Sequence, residues 1–95
     1  PDLEPVRTRM SVADAVSRSE VVLTGMGLEI VATDVAAGRV EATATTFWFG
    51  FKDDMVVRVT DDEREVLIDL RSKSRVGQSD IGANAERIRE FIRRF

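Results

Sequence analysis

The 95-residue chain contains no cysteine and no histidine. Without cysteine there is no disulfide framework, no thiol nucleophile and no thiolate metal site. Without histidine there is no Ser-His or Cys-His nucleophilic machinery, no His-ligated zinc, and none of the usual proton shuttles near neutral pH. Tyrosine is absent as well, and the aromatics are five Phe and one Trp. No apolar run approaches the roughly eighteen residues of a membrane span, and no signal peptide is visible. Any catalysis would therefore run on carboxylates, Lys, Ser/Thr or Arg. The first residue is Pro rather than Met, so the chain is expected to be part of a longer protein.

What is present describes one small globular domain, 43% hydrophobic and 33% charged, with a thin core. The net charge of −3 hides an asymmetry. Residues 1–70 carry a balance of −7 and residues 71–95 a balance of +4. An acidic total argues against sequence-independent nucleic-acid binding, so no nucleic-acid partner is expected. The cationic end leaves room for a local anion site.

Residues 1–10, with Pro1 and Pro5 and no periodicity, read as an extended lead-in to a single domain over 11–95. Ser11 reads as an N-cap with Asp14 three residues on. Val12, Ala15, Val16, Ser19, Val22, Leu23 and Met26 then recur at helical spacing, and Gly25 and Gly27 stop the helix. Four strands follow. Leu28, Ile30 and Ala32 share a face of the first, with a turn over Asp34–Gly38. Val40, Ala42, Ala44, Thr46 and Trp48 line the second, Met55, Val57 and Val59 the third, and Val66, Ile68 and Leu70 the fourth. Ser79 or Asp80 caps a last helix with Ile81, Ala85, Ile88, Ile92 and Phe95 on its stripe and Phe91 beside them. The order α-β-β-β-β-α predicts an α+β fold, a four-stranded antiparallel sheet with the N- and C-terminal helices packed on one face.

A four-residue hairpin loop at 61–64 would put Thr60 opposite Glu65, Met55 opposite Leu70, Asp53 opposite Ser72, and Asp54 opposite Arg71. Strand alternation turns Ser72 and Ser74 inward and makes Arg71, Lys73 and Arg75 an outer cationic ridge. Adjacent Ser and Lys then cannot activate one another. Phe47, Phe49, Val56 and Leu67 project from the outer face, away from the helices. Such a patch beside cations is a candidate partner surface, for an oligomer contact, a lipid or the rest of a parent protein.

The Gly77-Gln78-Ser79-Asp80 turn opens a helix, and free N–H groups there bind anions with help from Arg71, Arg75 and Arg87. Asp80 competes, because a carboxylate at that end already caps the helix. Asp53 and Asp54 point apart on a strand and make a poor metal site, so no metal or cofactor is expected. Asn84 and Arg87 share a helix face directed back at the junction.

The segment Phe47-Trp48-Phe49-Gly50-Phe51-Lys52-Asp53-Asp54, followed by Arg71 through Asn84 and by Arg87-Ile88, resembles the signature of the family called domain of unknown function 1499. Pro1-Asp2-Leu3 and Glu29 through Asp34 also look like its versions, so the likeness spans nearly the whole chain. The resemblance implies no activity. It implies bacterial proteins in which the soluble domain follows membrane-spanning helices, with relatives in plant plastids. A Cys-containing segment that other members carry before the first helix is missing here. The family's motif falls on Asp53, Asp54, Arg71, Ser72, Ser74, Arg75, Gly77, Ser79, Asp80, Gly82, Asn84 and Arg87.

These readings lead to a non-catalytic binding or interaction domain of a larger, membrane-associated protein, contacting an anionic small molecule or lipid headgroup through the motif. One alternative is a structural or oligomerisation domain in which the same residues form an internal Arg–Asp–Ser network. Another is a hydrolase built on carboxylates or serine.

Overall fold

The computed structural model describes residues 5–45, 52–74 and 81–95, with backbone alone for residues 52, 73, 74 and 81–84. Its elements run β1 (Val6–Thr8), α1 (Val12–Gly25), β2 (Glu29–Asp34), β3 (Arg39–Thr45), β4 (Lys52–Asp62), β5 (Glu65–Ser74) and α2 (Ile81–Arg94). The sheet is antiparallel, in the order β1-β5-β4-β3-β2. Both helices lie on one face of it and share its core with Val40, Ala42, Met55, Val57, Val59, Val66 and Ile68. The α+β architecture is the expected one, with one strand more.

That strand comes from the lead-in. Val6 pairs with Ile68 and Thr8 with Val66, along the edge of β5. Three residues are too few to show a period of two, so nothing local distinguishes them from coil. The edge of β5 supplies the pairing that the segment cannot specify alone.

Local chemistry sets the ends of α1. The Ser11 hydroxyl accepts from the Asp14 N–H at 3.1 Å, which satisfies one of the orphan donors of the first turn. At the other end Gly27 adopts φ +88°. Its N–H reaches the Thr24 carbonyl and the Leu28 N–H reaches the Leu23 carbonyl, both at 3.0 Å. This is a Schellman closure, and its hydrophobic clasp is Leu28 against Leu23, both buried. Between the caps Ala15, Val16, Ser19, Val22 and Leu23 are buried, the stripe that helical spacing indicated.

Two registers differ from expectation. Between β4 and β5 the loop is two residues, Glu63-Arg64, because Asp61 and Asp62 extend β4 opposite Val66 and Glu65. A two-residue connection suits the strand twist when the chain turns left-handed. Glu63 does so at φ 56°, and its N–H donates to the Asp61 carboxylate at 3.1 Å. Asp53 therefore faces Ser74 rather than Ser72, Asp54 faces Lys73 rather than Arg71, and Met55 faces Ser72 rather than Leu70. The displacement is even, so every side chain keeps its face. In β2 a bulge between Ile30 and Ala32 does change faces. It sets Ala32 opposite Glu41 on the outer side and turns Thr33 inward, where its hydroxyl meets the Glu20 carboxylate of α1 at 2.7 Å. The expected Leu28-Ile30-Ala32 face is thus interrupted, and Val31 is left 60% exposed.

Gly38 closes the β2–β3 turn at φ +67°, and its carbonyl accepts from the Val59 N–H at 2.6 Å. A Cβ at this position would overlap the Val59 carbonyl oxygen. Gly38→Ala combines a disfavoured φ with a clash against β4, and is expected to lower the unfolding free energy by about 2–3 kcal/mol in a urea titration.

Candidate functional site

Asp53 extends the inward row of β4 formed by Met55, Val57 and Val59 and is 7% exposed. A carboxylate at such a position requires a partner, since burying it unpaired costs far more than the apolar row around it returns. The partner is Arg87 of α2, whose Nη1 donates to Asp53 Oδ2. Helical geometry explains why this arginine arrives there. Arg87 lies four residues before Phe91, on the same side of the helix, and Phe91 is fully buried. Packing the ring into the core carries the guanidinium to the end of β4. Phe91, not the flanking Ala85, Ile88, Ile92 and Phe95, forms the centre of the apolar stripe, and its ring stacks on Phe95 at 5.7 Å between centroids.

Two more arginines tie the helices to each other. Arg18 of α1 donates to the carbonyls of Arg94 and Phe95, at 3.2 and 3.1 Å, where α2 ends. Arg94 of α2 donates to the Gly25 carbonyl at 3.2 Å, where α1 ends. Each helix thus has a cation from the other at its negative terminus. Arg94 also pairs with Glu90 at 2.7 Å. Hydrogen bonds from Arg94 and then Arg93 hold the Glu90 carboxyl below the ordinary glutamate range.

On the outer face Asp54 accepts from the Thr43 hydroxyl at 3.2 Å and lies opposite Lys73. Arg71 is exposed opposite Val56, and Ser72 is half-buried on the inner side with a bonding partner. Val56 and Leu67 stand on the outer face as expected, both half-buried, among charges that include the Arg39–Glu41 pair at 2.8 Å. Asp53 and Asp54 are directed to opposite faces and bonded to different groups, so they do not form an acid–base pair. Ser74 is placed by register opposite Asp53, and Asn84 lies on α2 one turn before Arg87. Arg75, Gly77, Ser79 and Asp80, and the aromatics Phe47 and Phe49, lie outside the described residues. So do Thr46, Trp48 and Gly50. Among the described residues no group of three or more His, Cys, Asp or Glu can hold a metal ion. None of the described helices is long and apolar enough to cross a membrane.

Beside the Asp53–Arg87 pair runs a cleft of about 410 Å³ between α2, the α1–β2 junction and the end of β3. Arg87, Arg94, Glu86 and Glu90 line the α2 side, with Gly25–Leu28 and Ala44-Thr45 opposite. Sequence reasoning named Arg87 as a site residue and gave Arg18, Thr43 and the α1–β2 junction no part in a site. It read Arg94 with Arg89 and Arg93 first as the solvated face of the last helix, and second as a basic contact to lipid or a partner. Thr43 becomes visible only through the β3–β4 register. Arg18 and Arg94, far apart in sequence, carry no local mark of their shared role.

The fold and these bonds define a small α+β domain in which arginines fasten two helices to one face of an antiparallel sheet. The chain belongs to the family described as protein of unknown function DUF1499, whose model matches residues 1–95. Comparison with curated proteins gives no match.

Arg87→Ala leaves the Asp53 carboxylate buried without its cation and is expected to cost about 2 kcal/mol of stability by chemical denaturation. In a double-mutant cycle with Asp53→Asn the paired loss should be smaller than the sum of the single losses by about 1 kcal/mol or more. The lowered Glu90 pKa stabilises the fold above the unfolded-state value, and that contribution disappears as pH falls through the folded-state value. The stability difference between wild type and Glu90→Gln should therefore shrink on acidification through and below the glutamate range, as read by thermal melts.

Proposed function

We propose that this chain is a non-catalytic binding domain whose ligand is a small anionic group, taken up in the cleft beside Arg87. The observation that carries the reading is the cleft itself, which brings a motif arginine, a second arginine and the α1–β2 junction around one opening. Its volume lies toward the lower end of the ligand-pocket range of roughly 300–1,000 Å³. The cations are held in place, Arg87 by Asp53 and Arg94 by Glu90 of the same cleft wall, which fixes a guanidinium before a ligand arrives. The separation of Asp53 from Asp54 supports binding over carboxylate chemistry. A setting within a larger membrane-associated protein agrees with this reading, the anion then being a lipid headgroup rather than a free phosphate or carboxylate.

A second reading has its own observation. The motif side chains whose bonds are described are used internally, Arg87 on Asp53 and Asp54 on Thr43, as a structural network requires. One titration separates the two. Inorganic phosphate, citrate and vesicles containing phosphatidylglycerol are added to isotopically labelled protein, and amide shifts are followed by NMR. Shifts centred on Gly25–Leu28 and Glu86–Arg94, weakened in Arg94→Ala, are expected. A response to vesicles alone identifies a headgroup, and a response to the free anions identifies a soluble ligand. If none of the three moves these amides, the network reading stands and the binding reading falls.

A further inference from the structure

We propose that α2 is a latch, a helix that lifts from the sheet as one body while α1 and the strands remain folded. The two helices are attached in different ways. α1 packs against β2, β3, β4 and β5 and buries five residues of its stripe. α2 packs chiefly against β5 and meets α1 through side chains near the helix ends. Among the described residues of α2, Phe91 is the one wholly removed from solvent. Along one flank the cleft keeps α2 apart from the α1–β2 junction and the end of β3.

Ile88 and Phe95 pack half-buried against the same core. The other fastenings described are polar, the Asp53–Arg87 pair part-buried and the rest exposed. They are Arg87 on Asp53, Arg18 on the last carbonyls of α2, and Arg94 on the Gly25 carbonyl. Water replaces bonds of this kind when the helix lifts, whereas opening the sheet breaks a full ladder and its apolar core. Local openings draw on elements with few buried apolar contacts, and of the two helices α2 has the fewer among the described residues.

α2 also carries the means to stay helical once released. Glu86 pairs with Arg89 at 3.0 Å, Glu90 with Arg93 at 2.6 Å and Glu90 with Arg94 at 2.7 Å, all at i,i+3 or i,i+4 spacing. Release joins the cleft to the inner end of β4, where Asp53 waits, and bares the Phe91 ring with Ile88 and Phe95 beside it. The Asp53–Arg87 pair is the clasp. This holds whether or not the cleft takes an anion, because it rests on how α2 is fastened.

The test is native-state hydrogen exchange of the 95-residue chain by NMR, at increasing sub-denaturing urea. Amides of Arg89–Ile92, inside the helix and clear of its fraying end, are expected to exchange roughly tenfold or more faster than those of Val57, Val59 and Ile68, with a shallower urea dependence. Asp53→Asn should speed the α2 amides by about a further tenfold and the sheet amides by less than about threefold. Equal rates and equal urea slopes for helix and sheet in the wild type would overturn the latch. So would an Asp53→Asn variant in which both sets accelerate together.

Discussion

A carboxylate at the edge of a dry surface must be answered by a cation, and much of the arrangement around α2 follows from where Asp53 sits. The inner face of β4 is apolar from Met55 to Val59, and Asp53 continues that row into the core margin. Among the described residues, the side chain that bonds to it descends from the helical layer. Arg87 is that side chain because Phe91, one turn later, is drawn into the core by its apolar ring. Hydrophobic burial and ion pairing thus specify the same rotation of α2 about its axis. Such agreement between two independent forces is what gives a helix one docking geometry rather than several.

The two C-terminal arginine contacts extend the same logic between the helices. The last turn of α1 has no basic residue of its own, and beyond the carbonyls met by its Schellman closure the Gly25 carbonyl accepts from Arg94 of α2. The carbonyls ending α2 meet Arg18 from α1. Each helix thus lends the other a cation at its C-terminal end. This explains how a layer with modest apolar burial on α2 still has a defined arrangement. It also gives Arg94 two tasks, a helix end and the cleft wall.

Much of the fold was legible in residues whose effects are local. Ser11 and Gly27 mark the ends of α1 because capping and positive φ are properties of single positions, and the apolar alternation of β3, β4 and β5 separates inside from outside without a partner. Pairing was less legible. Asp61-Asp62-Glu63-Arg64 reads as a four-residue turn by composition, yet the strands continue through the aspartates and turn on Glu63-Arg64. The faces survived because the difference was two residues. The Val31 bulge is an odd displacement, and there the assignment of Ala32 and Thr33 did reverse. For the site, the sequence pointed to Asp53, Asp54 and Arg87 individually, and expected the aspartates to meet the Arg71–Ser72 end of β5. That Asp53 would choose Arg87, a partner 34 positions away, depends on the crossing of α2 over the sheet, which no local pattern encodes.

Among the described residues, the three-residue β1 pairs with β5 at Val66–Ile68, the stretch where that strand is most apolar. Further along, β5 carries Asp69 and Arg71 on its outer side. A short strand and outward charges are two ways of making a sheet edge unattractive to other chains, and both stand along this one. Residues 6–8 therefore act as a guard against stray strand pairing. A chain shortened to begin at Ser11 would leave that apolar stretch open, and its failure would show as precipitation before any loss of helical or sheet content.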